Sequence, residues 1–300
     1  MNVVVIGTIG IDDIETPRAK VMAVLGGSAT YACMASRLFA PTNLTSVVGQ
    51  DFPPDYQRLL ESLAIDLRGL EILPGKTFRW GGRYHENMNQ RDTTFTDLNV
   101  LQEFDPKVPE HATQGAYVFV GNTDPVIQLR ILDQVIDPRF VVVDSMNFWI
   151  QSNLATLTEV FKRATVVVLN EEEIRLFTGL YSLPLAVARI LALGPLGVVI
   201  KRGEYGAALA TRDGWFFAPG YPIHDVVDPT GAGDSFAGAF LGSLAETGDD
   251  SPQALRRAVV YGSVAASFTV EAFGVDRLYG VTRREIDARF EEFRQLVFFG

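Results

Sequence analysis

The sequence Asp-Pro-Thr-Gly-Ala-Gly-Asp-Ser-Phe occupies residues 228–236 and continues to Leu244 with the apolar spacing of a helix. Gly231 and Gly233 stand where such a helix begins, and the first N–H groups of a helix have no acceptor within it. The positive end of the helix dipole makes these donors an anion site. Asp234 adds a carboxylate, which could accept the proton of a hydroxyl that lies beside a bound phosphoryl group. The alternative is an ordinary capped helix preceded by a glycine turn.

The rest of the chain alternates short β-branched apolar runs with helical patterns. Residues 141–143 and 166–169 are apolar at every position, as in strands that are covered on both faces. This succession predicts a mostly parallel sheet with helices on both sides. The predicted strands are 3–7, 44–48, 117–120, 140–143, 166–169 and 197–200, and the predicted helices are 28–39, 55–63, 125–136, 154–162 and 183–193.

Residues 77–99 break this rhythm, because they are aromatic, polar and partly alternating. They predict a small antiparallel excursion outside the main sheet. Two short strands are not stable alone, so the excursion must pack on something. It could be a lid over a substrate site, or Phe78, Trp80 and Tyr84 could face a second subunit in a homodimer. The arginines of this segment could bind an anionic substrate or could be solvated surface residues; they are Arg79, Arg83 and Arg91.

Composition excludes several classes of function. The net charge is −10, from 36 acidic and 26 basic residues, which argues against nucleic-acid or anionic-membrane partners. No run approaches the roughly 20 apolar residues of a membrane-spanning helix. The single cysteine, Cys33, excludes an internal disulfide and fits a reducing compartment. The sequence therefore predicts a cytoplasmic location.

Two segments near the N-terminus are candidates for substrate binding. Asp12 and Asp13 follow the first predicted strand, and ligands of open α/β sheets gather beyond the carboxyl ends of the strands. A solvated turn would explain them equally well. Residues 26–28, Gly-Gly-Ser, could let the backbone approach a ligand closely. They could also be a plain helix start with Ser28 as the N-cap.

Two later segments are candidates for phosphate or metal binding. Residues 170–173, Asn-Glu-Glu-Glu, follow a buried strand and open a helix. Their carboxylates could hold Mg²⁺ through water or could simply complement the helix dipole. Residues 201–206, Lys-Arg-Gly-Glu-Tyr-Gly, join two apolar strands. They could bind nucleotide phosphates or form a simple hairpin turn.

In this order the motifs resemble the ribokinase-like carbohydrate kinases, also called the PfkB family, over essentially the whole chain. The most specific match is the Asp-Pro-Thr-Gly-Ala-Gly-Asp stretch. The resemblance implies one domain over residues 1–300, a three-layer α/β sandwich with a mostly parallel central sheet and a β-rich lid contributed mainly by about 77–99. It implies ATP- and Mg²⁺-dependent transfer of the γ-phosphoryl group to an alcohol of a sugar or sugar-like polyol. The alternatives are a nucleoside or inositol kinase, or a noncatalytic sugar-binding protein.

The resemblance also implies roles for individual residues. Asp234 corresponds to the general base, and Asp12 and Gly27 correspond to contacts with substrate hydroxyls. Tyr31 departs from the asparagine that usually contacts the sugar, which puts ribose in doubt; its ring could stack on a base or sugar, or fill space. The anion hole corresponds to the N–H groups of Gly231, Ala232 and Gly233.

Further matches concern the nucleotide and cations. Glu173 completes an Asn-x-x-Glu motif implicated in the placement of Mg²⁺. Asp228 and Thr230 match positions that hold a monovalent cation in some members, so K⁺ is a further expected cofactor. The residues that correspond to nucleotide contacts are Asn170, Lys201, Gly203, Gly206 and Ser263.

Overall fold

The computed structural model describes residues 1–298, so the last two residues of the predicted 1–300 domain lie outside it. Two β-sheets are present. The strands are β1 (Val3–Ile6), β2 (Gly10–Glu15), β3 (Lys20–Gly26), β4 (Thr42–Gly49), β5 (Asp66–Leu73), β6 (Phe78–Tyr84), β7 (Arg91–Asp97), β8 (Tyr117–Val120), β9 (Phe140–Asp144), β10 (Val166–Asn170), β11 (Gly197–Lys201), β12 (Ala207–Thr211) and β13 (Gly214–Ala218).

In the first two thirds of the chain the helices alternate with strands, and at the end of the chain they follow one another. They are α1 (Ser28–Ser36), α2 (Pro54–Ser62), α3 (Pro125–Gln134), α4 (Asn147–Ser152), α5 (Leu154–Lys162), α6 (Glu171–Thr178), α7 (Leu183–Leu191), α8 (Ala232–Thr247), α9 (Pro252–Thr269), α10 (Asp276–Tyr279) and α11 (Arg283–Val297).

The larger sheet has nine strands in the order β13-β12-β11-β10-β9-β8-β1-β4-β5. Seven neighbouring strands of this sheet are parallel, namely β11, β10, β9, β8, β1, β4 and β5. Strands β12 and β13 add an antiparallel edge. Alternate residues of β1 enter different cores. Val3 and Val5 belong to the cluster that contains α1, α8 and α9, whereas Val4 and Ile6 belong to the cluster that contains α3, α5 and α7. The predicted three-layer sandwich is confirmed.

Every strand and helix predicted in the first two thirds of the chain is present, within a few residues at its ends. The strand at 117–120 and the helix at 154–162 match the observed bounds. The larger difference is α1, which ends at Ser36 rather than at residue 39. The periodicity of apolar residues therefore located the helices and strands. Their ends depend on capping contacts, which this periodicity does not reveal.

The smaller sheet, which we call the lid, has four strands in the order β3-β2-β6-β7. The prediction that the lid comes mainly from residues 77–99 was incomplete, because residues 10–26 supply half of it. Two irregularities hid these strands from a search for alternation. The register of β2 shifts between Asp12 and Ile14, and Ala23 in β3 has a φ of 57°.

The aromatic side chains of β6 face the interior of the same chain. Phe78, Trp80 and Tyr84 alternate on one face of the strand. The Tyr84 hydroxyl lies 3.0 Å from the Thr230 hydroxyl, and this contact is buried. The aromatic pattern that suggested a contact with a second subunit is thus explained within one chain, and a homodimer stays a prediction.

Among residues 1–298, no single helix is both long and apolar enough to cross a membrane. Helices α6 and α7 reach that length and composition only as a pair, with a bend of 67° between them. Both helices bury apolar residues in a core of the protein, among them Ile174, Ala186 and Ile190.

Candidate active site

The candidate site lies at the carboxyl ends of the central parallel strands. Lys201 closes β11, Asn170 closes β10 and Asp144 closes β9. These strands are neighbours in the sheet, so their last residues meet at one edge. Helix α8 begins at the same edge, because Gly233 in its first turn packs against the Lys201 side chain. The structure therefore brings together residues that are separated by almost 90 positions in the sequence.

The start of α8 has the free donors expected of an anion site. Gly231 is the N-cap with a φ of 75°, a conformation that favours glycine. Among the described residues, the N–H groups of Gly231 and Gly233 have no acceptor. The N–H group of Ala232 differs from the expectation, because it donates to the carbonyl oxygen of Pro229 at 3.2 Å. Two of the three predicted anion-hole donors are thus available without any rearrangement.

Asp234 follows these donors directly and is half-buried. The pKa of its carboxyl is raised to about 7, because burial and the nearby Asp144 raise it by more than Lys201 and Arg91 lower it. A carboxylate with a pKa near neutrality is a suitable proton acceptor for a hydroxyl. The position and the electrostatics of Asp234 both fit the predicted general base.

Lys201 is held by a residue that our sequence analysis did not select. Its Nζ atom lies 3.0 Å and 2.8 Å from the two carboxylate oxygens of Asp144, whose side chain is almost completely buried. Burial alone would lower the pKa of Lys201, but Asp144 and Glu173 raise it above its ordinary value. The ammonium group is therefore charged. The signal was present, since Asp144 ends an all-apolar strand at the same edge as the other candidates.

Asn170 and Glu173 form a capping box at the start of α6. The Glu173 N–H group donates to Asn170 Oδ1 at 2.8 Å, and the Asn170 N–H group donates to Glu173 Oε2 at 2.7 Å. The pKa of Glu173 is raised to about 7, because the effect of burial outweighs that of Lys201, which lowers it. The segment thus caps a helix and also holds a buried carboxylate near Lys201. A role of this carboxylate in holding Mg²⁺ stays a prediction.

The remaining predicted nucleotide residues lie around the end of β11. Gly203 and Gly206 bound a short 3₁₀ turn, Gly203–Tyr205, between β11 and β12. Ser263 lies in the middle of α9 and is buried. The roles of these residues in nucleotide binding stay predictions.

The structure places Asp12 in the lid strand β2, so the alternative of a solvated turn after β1 was wrong. Its side chain is buried, and the Oδ1 atom has no hydrogen-bond partner among the described residues. The glycine pair makes room for it, because a Cβ atom at Gly26 would overlap the Asp12 carboxylate. A buried, unpartnered carboxylate oxygen fits a hydroxyl of a bound ligand. Asp13 points away and pairs with Arg79 at 3.0 Å.

Gly27 is the N-cap of α1, with a φ of 93°, and the alternative that Ser28 caps this helix was wrong. The Ser28 hydroxyl instead accepts the Thr8 N–H at 3.1 Å. A Cβ atom at Gly27 would overlap the carbonyl oxygen of Thr8. The close approach of the chain around Asp12 therefore requires glycine here.

Tyr31 lies under the start of α8. A Cβ atom at Gly231 would overlap the Tyr31 ring, so one face of the ring is covered by the Gly231 backbone. Burial raises the pKa of Tyr31 well above its ordinary value. The hydroxyl is buried and has no hydrogen-bond partner in the part of the chain that the structure describes. The group that Tyr31 offers to a ligand is thus its hydroxyl rather than an open ring face.

Asp228 and Thr230 are engaged in contacts within the protein. Asp228 is fully buried and accepts the N–H groups of Thr230, at 2.9 Å, and of Gly274, at 3.0 Å. The Thr230 hydroxyl contacts the Tyr84 hydroxyl. Both side chains therefore have hydrogen-bond partners within the protein, and dependence on K⁺ stays a prediction.

A group of unpartnered polar atoms lies at the ends of β8 and β9. The buried Thr123 and Ser145 hydroxyls have no hydrogen-bond partner among residues 1–298, and neither do Asn122 Oδ1 and Asn147 Oδ1. Buried polar atoms without partners are rare in native proteins, and a ligand is one explanation. No periodic or glycine pattern marked these residues in the sequence.

Asp12→Asn is expected to raise the free energy of unfolding by about 0.5–2 kcal/mol while weakening substrate binding. The pKa of Asp12 is raised to about 8, mainly by burial and secondly by the nearby Asp228. The protonated form of this carboxyl therefore favours the folded state. Its contribution to the free energy of unfolding is fully present below about pH 4 and is lost as the pH rises to about 8. The neutral amide of asparagine does not ionise, so this stability is not lost at higher pH.

Urea unfolding at pH 5 and pH 8 would test this. The free energy of unfolding of Asp12→Asn should exceed that of the wild type by more at pH 8 than at pH 5. Asp13→Asn is the matched control, because it removes the neighbouring carboxylate that pairs with Arg79 and should not stabilise the fold. An Asp12→Asn protein that is less stable than the wild type at both pH values would contradict the expectation.

The comparisons with known proteins identify the family of the chain. Residues 2–278 match the model of the pfkB family of carbohydrate kinases. A cytidine kinase of Thermococcus kodakarensis is 32% identical over 249 residues, which cover 80% of this chain and 87% of that protein. A ribokinase of Bacillus subtilis is 28% identical over 290 residues, covering 91% and 94%.

The fold has close structural neighbours. The crystal structure of a nucleoside kinase from Methanocaldococcus jannaschii, described as an archaeal member of the ribokinase family, superimposes with a TM-score of 0.78. That alignment covers 97% of this chain and 98% of the other, at 22% identity, and it shows the ribokinase-like fold. With the family model spanning nearly all of the sequence, this chain belongs to the pfkB family of carbohydrate kinases.

Proposed function

We propose that this kinase transfers the γ-phosphoryl group of ATP to a hydroxyl of a sugar or sugar-like polyol, with Asp234 as the general base. One observation carries the proposal. The Asp234 carboxyl, with a pKa raised to about 7, lies directly beside the free N–H groups of Gly231 and Gly233. A proton acceptor and an anion site are thus adjacent, as phosphoryl transfer to a hydroxyl requires.

In the proposed step, Asp234 accepts the proton of the substrate hydroxyl as its oxygen bonds to the γ-phosphorus. The bond between this phosphorus and the β,γ-bridging oxygen breaks, and its electron pair leaves with ADP. The N–H groups of Gly231 and Gly233 bind oxygens of the transferring group. The Lys201 ammonium, held by Asp144, adds a positive charge beside them.

The residues present also fit Mg²⁺ bound through water. Within residues 1–298, no three His, Cys, Asp or Glu side chains are arranged to bind a metal directly. Mg²⁺ commonly keeps several waters and is bound by one or two carboxylates and the phosphates of the substrate. Glu173 is the carboxylate that we assign to this role, and the ion would neutralise phosphate charge.

A nucleoside is the second candidate for the acceptor. The relative that is 32% identical is named a cytidine kinase, whereas the ribokinase is 28% identical. Asp12 Oδ1 is not the only buried polar atom without a partner among the described residues. The others include the hydroxyls of Tyr31 and Ser145 and the amide oxygen of Asn122. Such groups suit an acceptor that has polar atoms beyond a single sugar ring.

A panel of acceptors tests the proposal. We expect ATP consumption with at least one of ribose, fructose, cytidine, inosine and myo-inositol, and phosphorylated product detectable by mass spectrometry. Turnover with nucleosides and not with free sugars would assign the second candidate. Tight binding of an acceptor without any phosphoryl transfer would contradict both and would indicate a noncatalytic sugar-binding protein.

A further inference from the structure

One edge strand of the two sheets differs from the others in composition. Strands β13 and β5 are the edges of the larger sheet, and β3 and β7 are the edges of the lid. Charged residues on an edge strand discourage pairing with another chain. Strand β3 contains one charged residue, and β5 and β7 contain three each. Strand β13, with the sequence Gly-Trp-Phe-Phe-Ala, contains none.

The outer side of β13 is open. All five of its residues pair with β12 without a shift in register, and no other described strand pairs with it. Proline and β-bulges are further devices that block an edge, and β13 contains neither of them. The backbone N–H and C=O groups on its outer side are therefore available to a further strand.

Two exposed aromatic side chains lie along this edge. Trp215 is 38% exposed and Phe217 is 60% exposed, and their rings stack with centroids 5.8 Å apart. They are opposite Ala210 and Ala208 of β12, so they project from the face of the sheet on which α7 packs. A groove of about 400 Å³ lies between Trp215 and α7, and Arg212 is the one charged side chain among the described residues that line it. Apolar surface of this kind is typical of an interaction site.

The edge is complementary to itself. Alternate residues of an antiparallel strand direct their N–H and C=O groups to the same side. Because β13 has five residues, a two-fold axis at its middle residue, Phe216, places every outward-facing residue opposite another outward-facing residue, whichever alternate set faces outwards. Trp215 is then opposite Phe217 of the second copy, on the same face of the joined sheets. The two stacked pairs of rings would form one cluster of four.

Charge also favours a second copy as the partner. The chain has a net charge of −10, so two copies repel each other unless they meet at surfaces without excess acid. Strand β13 carries no charge, and the adjoining turn carries the opposite charges of Arg212 and Asp213. A partner that is recognised by its charge would find no complementary group along this strand. The edge therefore fits a neutral, apolar strand such as β13 itself.

We propose that β13 is a dimer interface, at which two copies of this chain pair their β13 strands antiparallel and join their larger sheets into one. This interface lies outside the lid and goes beyond the proposed function. An aromatic side chain buries about 150–250 Å² when it is fully covered, and the four rings are already partly covered. The contact therefore lies near or below the roughly 1,200 Å² of the smallest stable complexes. We expect a weak dimer with a Kd of about 1–100 µM.

Phe217→Lys tests the proposal, and Ile72→Lys is the matched control. Ile72 is 54% exposed in β5, the opposite edge of the same sheet. In sedimentation velocity, the wild type and Ile72→Lys should shift with concentration towards twice the 33.0 kDa of one chain. Phe217→Lys should remain a monomer at these concentrations, because each copy then brings a positive charge to the shared edge. Both variants should melt within about 3 °C of the wild type, since substitutions at exposed positions have little effect on stability.

Two results of this experiment would overturn the proposal. One is a Phe217→Lys protein that dimerises as strongly as the wild type. The other is a wild type that stays monomeric at concentrations well above the expected Kd, which would leave this edge to a different protein. Neither measurement requires turnover, so the outcome is independent of whether the chain phosphorylates any acceptor.

Hydrogen exchange tests where the two copies meet. The outward-facing backbone amides of Gly214–Ala218 should exchange at least about tenfold more slowly in the wild-type dimer than in Phe217→Lys. The amides of β3, at an edge of the lid, should exchange equally in both proteins. Slower exchange in the lid strands of the dimer, with none in β13, would overturn the proposal and would support the dimer through the lid.

Discussion

Asp234→Asn is expected to lower kcat by about 10²–10⁴-fold and to leave ATP binding unchanged or slightly stronger. The amide keeps the shape of the side chain but cannot accept the proton of the acceptor hydroxyl. ATP binding should not suffer, because the change removes a negative charge beside an anion site. Single-turnover rates and calorimetric titration with ATP, each on the folded variant, measure the two effects separately.

Asp213→Asn is the control, since this aspartate is exposed in the turn between β12 and β13. The wild-type enzyme should also lose kcat/KM about tenfold per pH unit below about pH 7, because only the ionised carboxyl is a base. Asp12 and Glu173 also have raised pKa values, so the profile belongs to the cluster rather than to one residue. Normal turnover by Asp234→Asn would exclude its role as the base.

Gly231→Ala is expected to damage both the stability of the fold and the anion site. The left-handed backbone at Gly231 costs an alanine about 1–2 kcal/mol, and the added Cβ atom overlaps the buried Tyr31 ring, which costs about 1–3 kcal/mol more. Relief of the overlap would also move the free N–H donors. We therefore expect a loss of about 10²–10³-fold in kcat in the protein that remains folded.

Gly115→Ala separates the two causes. Gly115 has a φ of 61°, but a Cβ atom there meets nothing within 4 Å. This variant should lose only the backbone contribution, and its kcat should stay normal. Urea unfolding and kcat of both variants complete the comparison, and equal stability losses at the two positions would show that contact with Tyr31 is not important.

The central fold could be predicted because its signal is local. The all-apolar, β-branched runs at 141–143 and 166–169 indicate buried strands, and the helical spacing between such runs favours parallel crossovers. The lid strands at 10–26 could not be found in this way. A register shift and a positive φ break their alternation, and β2 pairs with β6, which lies more than 50 residues away.

The candidate site could be predicted only in part. Glycines next to a helix pattern identified the anion site, and strand ends identified Asp12, Glu173 and Lys201. Asp144 was not assigned, because an acid after a strand is common in sequences. Its importance comes from its contact with Lys201, which joins distant segments of the chain.

By itself, then, the sequence determined the layered α/β fold, the kinase family and a carboxylate next to the glycines at a helix start, because periodicity, glycine positions and the 228–236 motif are local properties of the chain. The tertiary structure decided which groups lie together. Only the folded chain shows that Asp144 fixes Lys201 and that the Tyr31 ring packs against Gly231. Burial at this edge of the sheet also raises the pKa of Asp234 towards neutrality, which no local pattern could show.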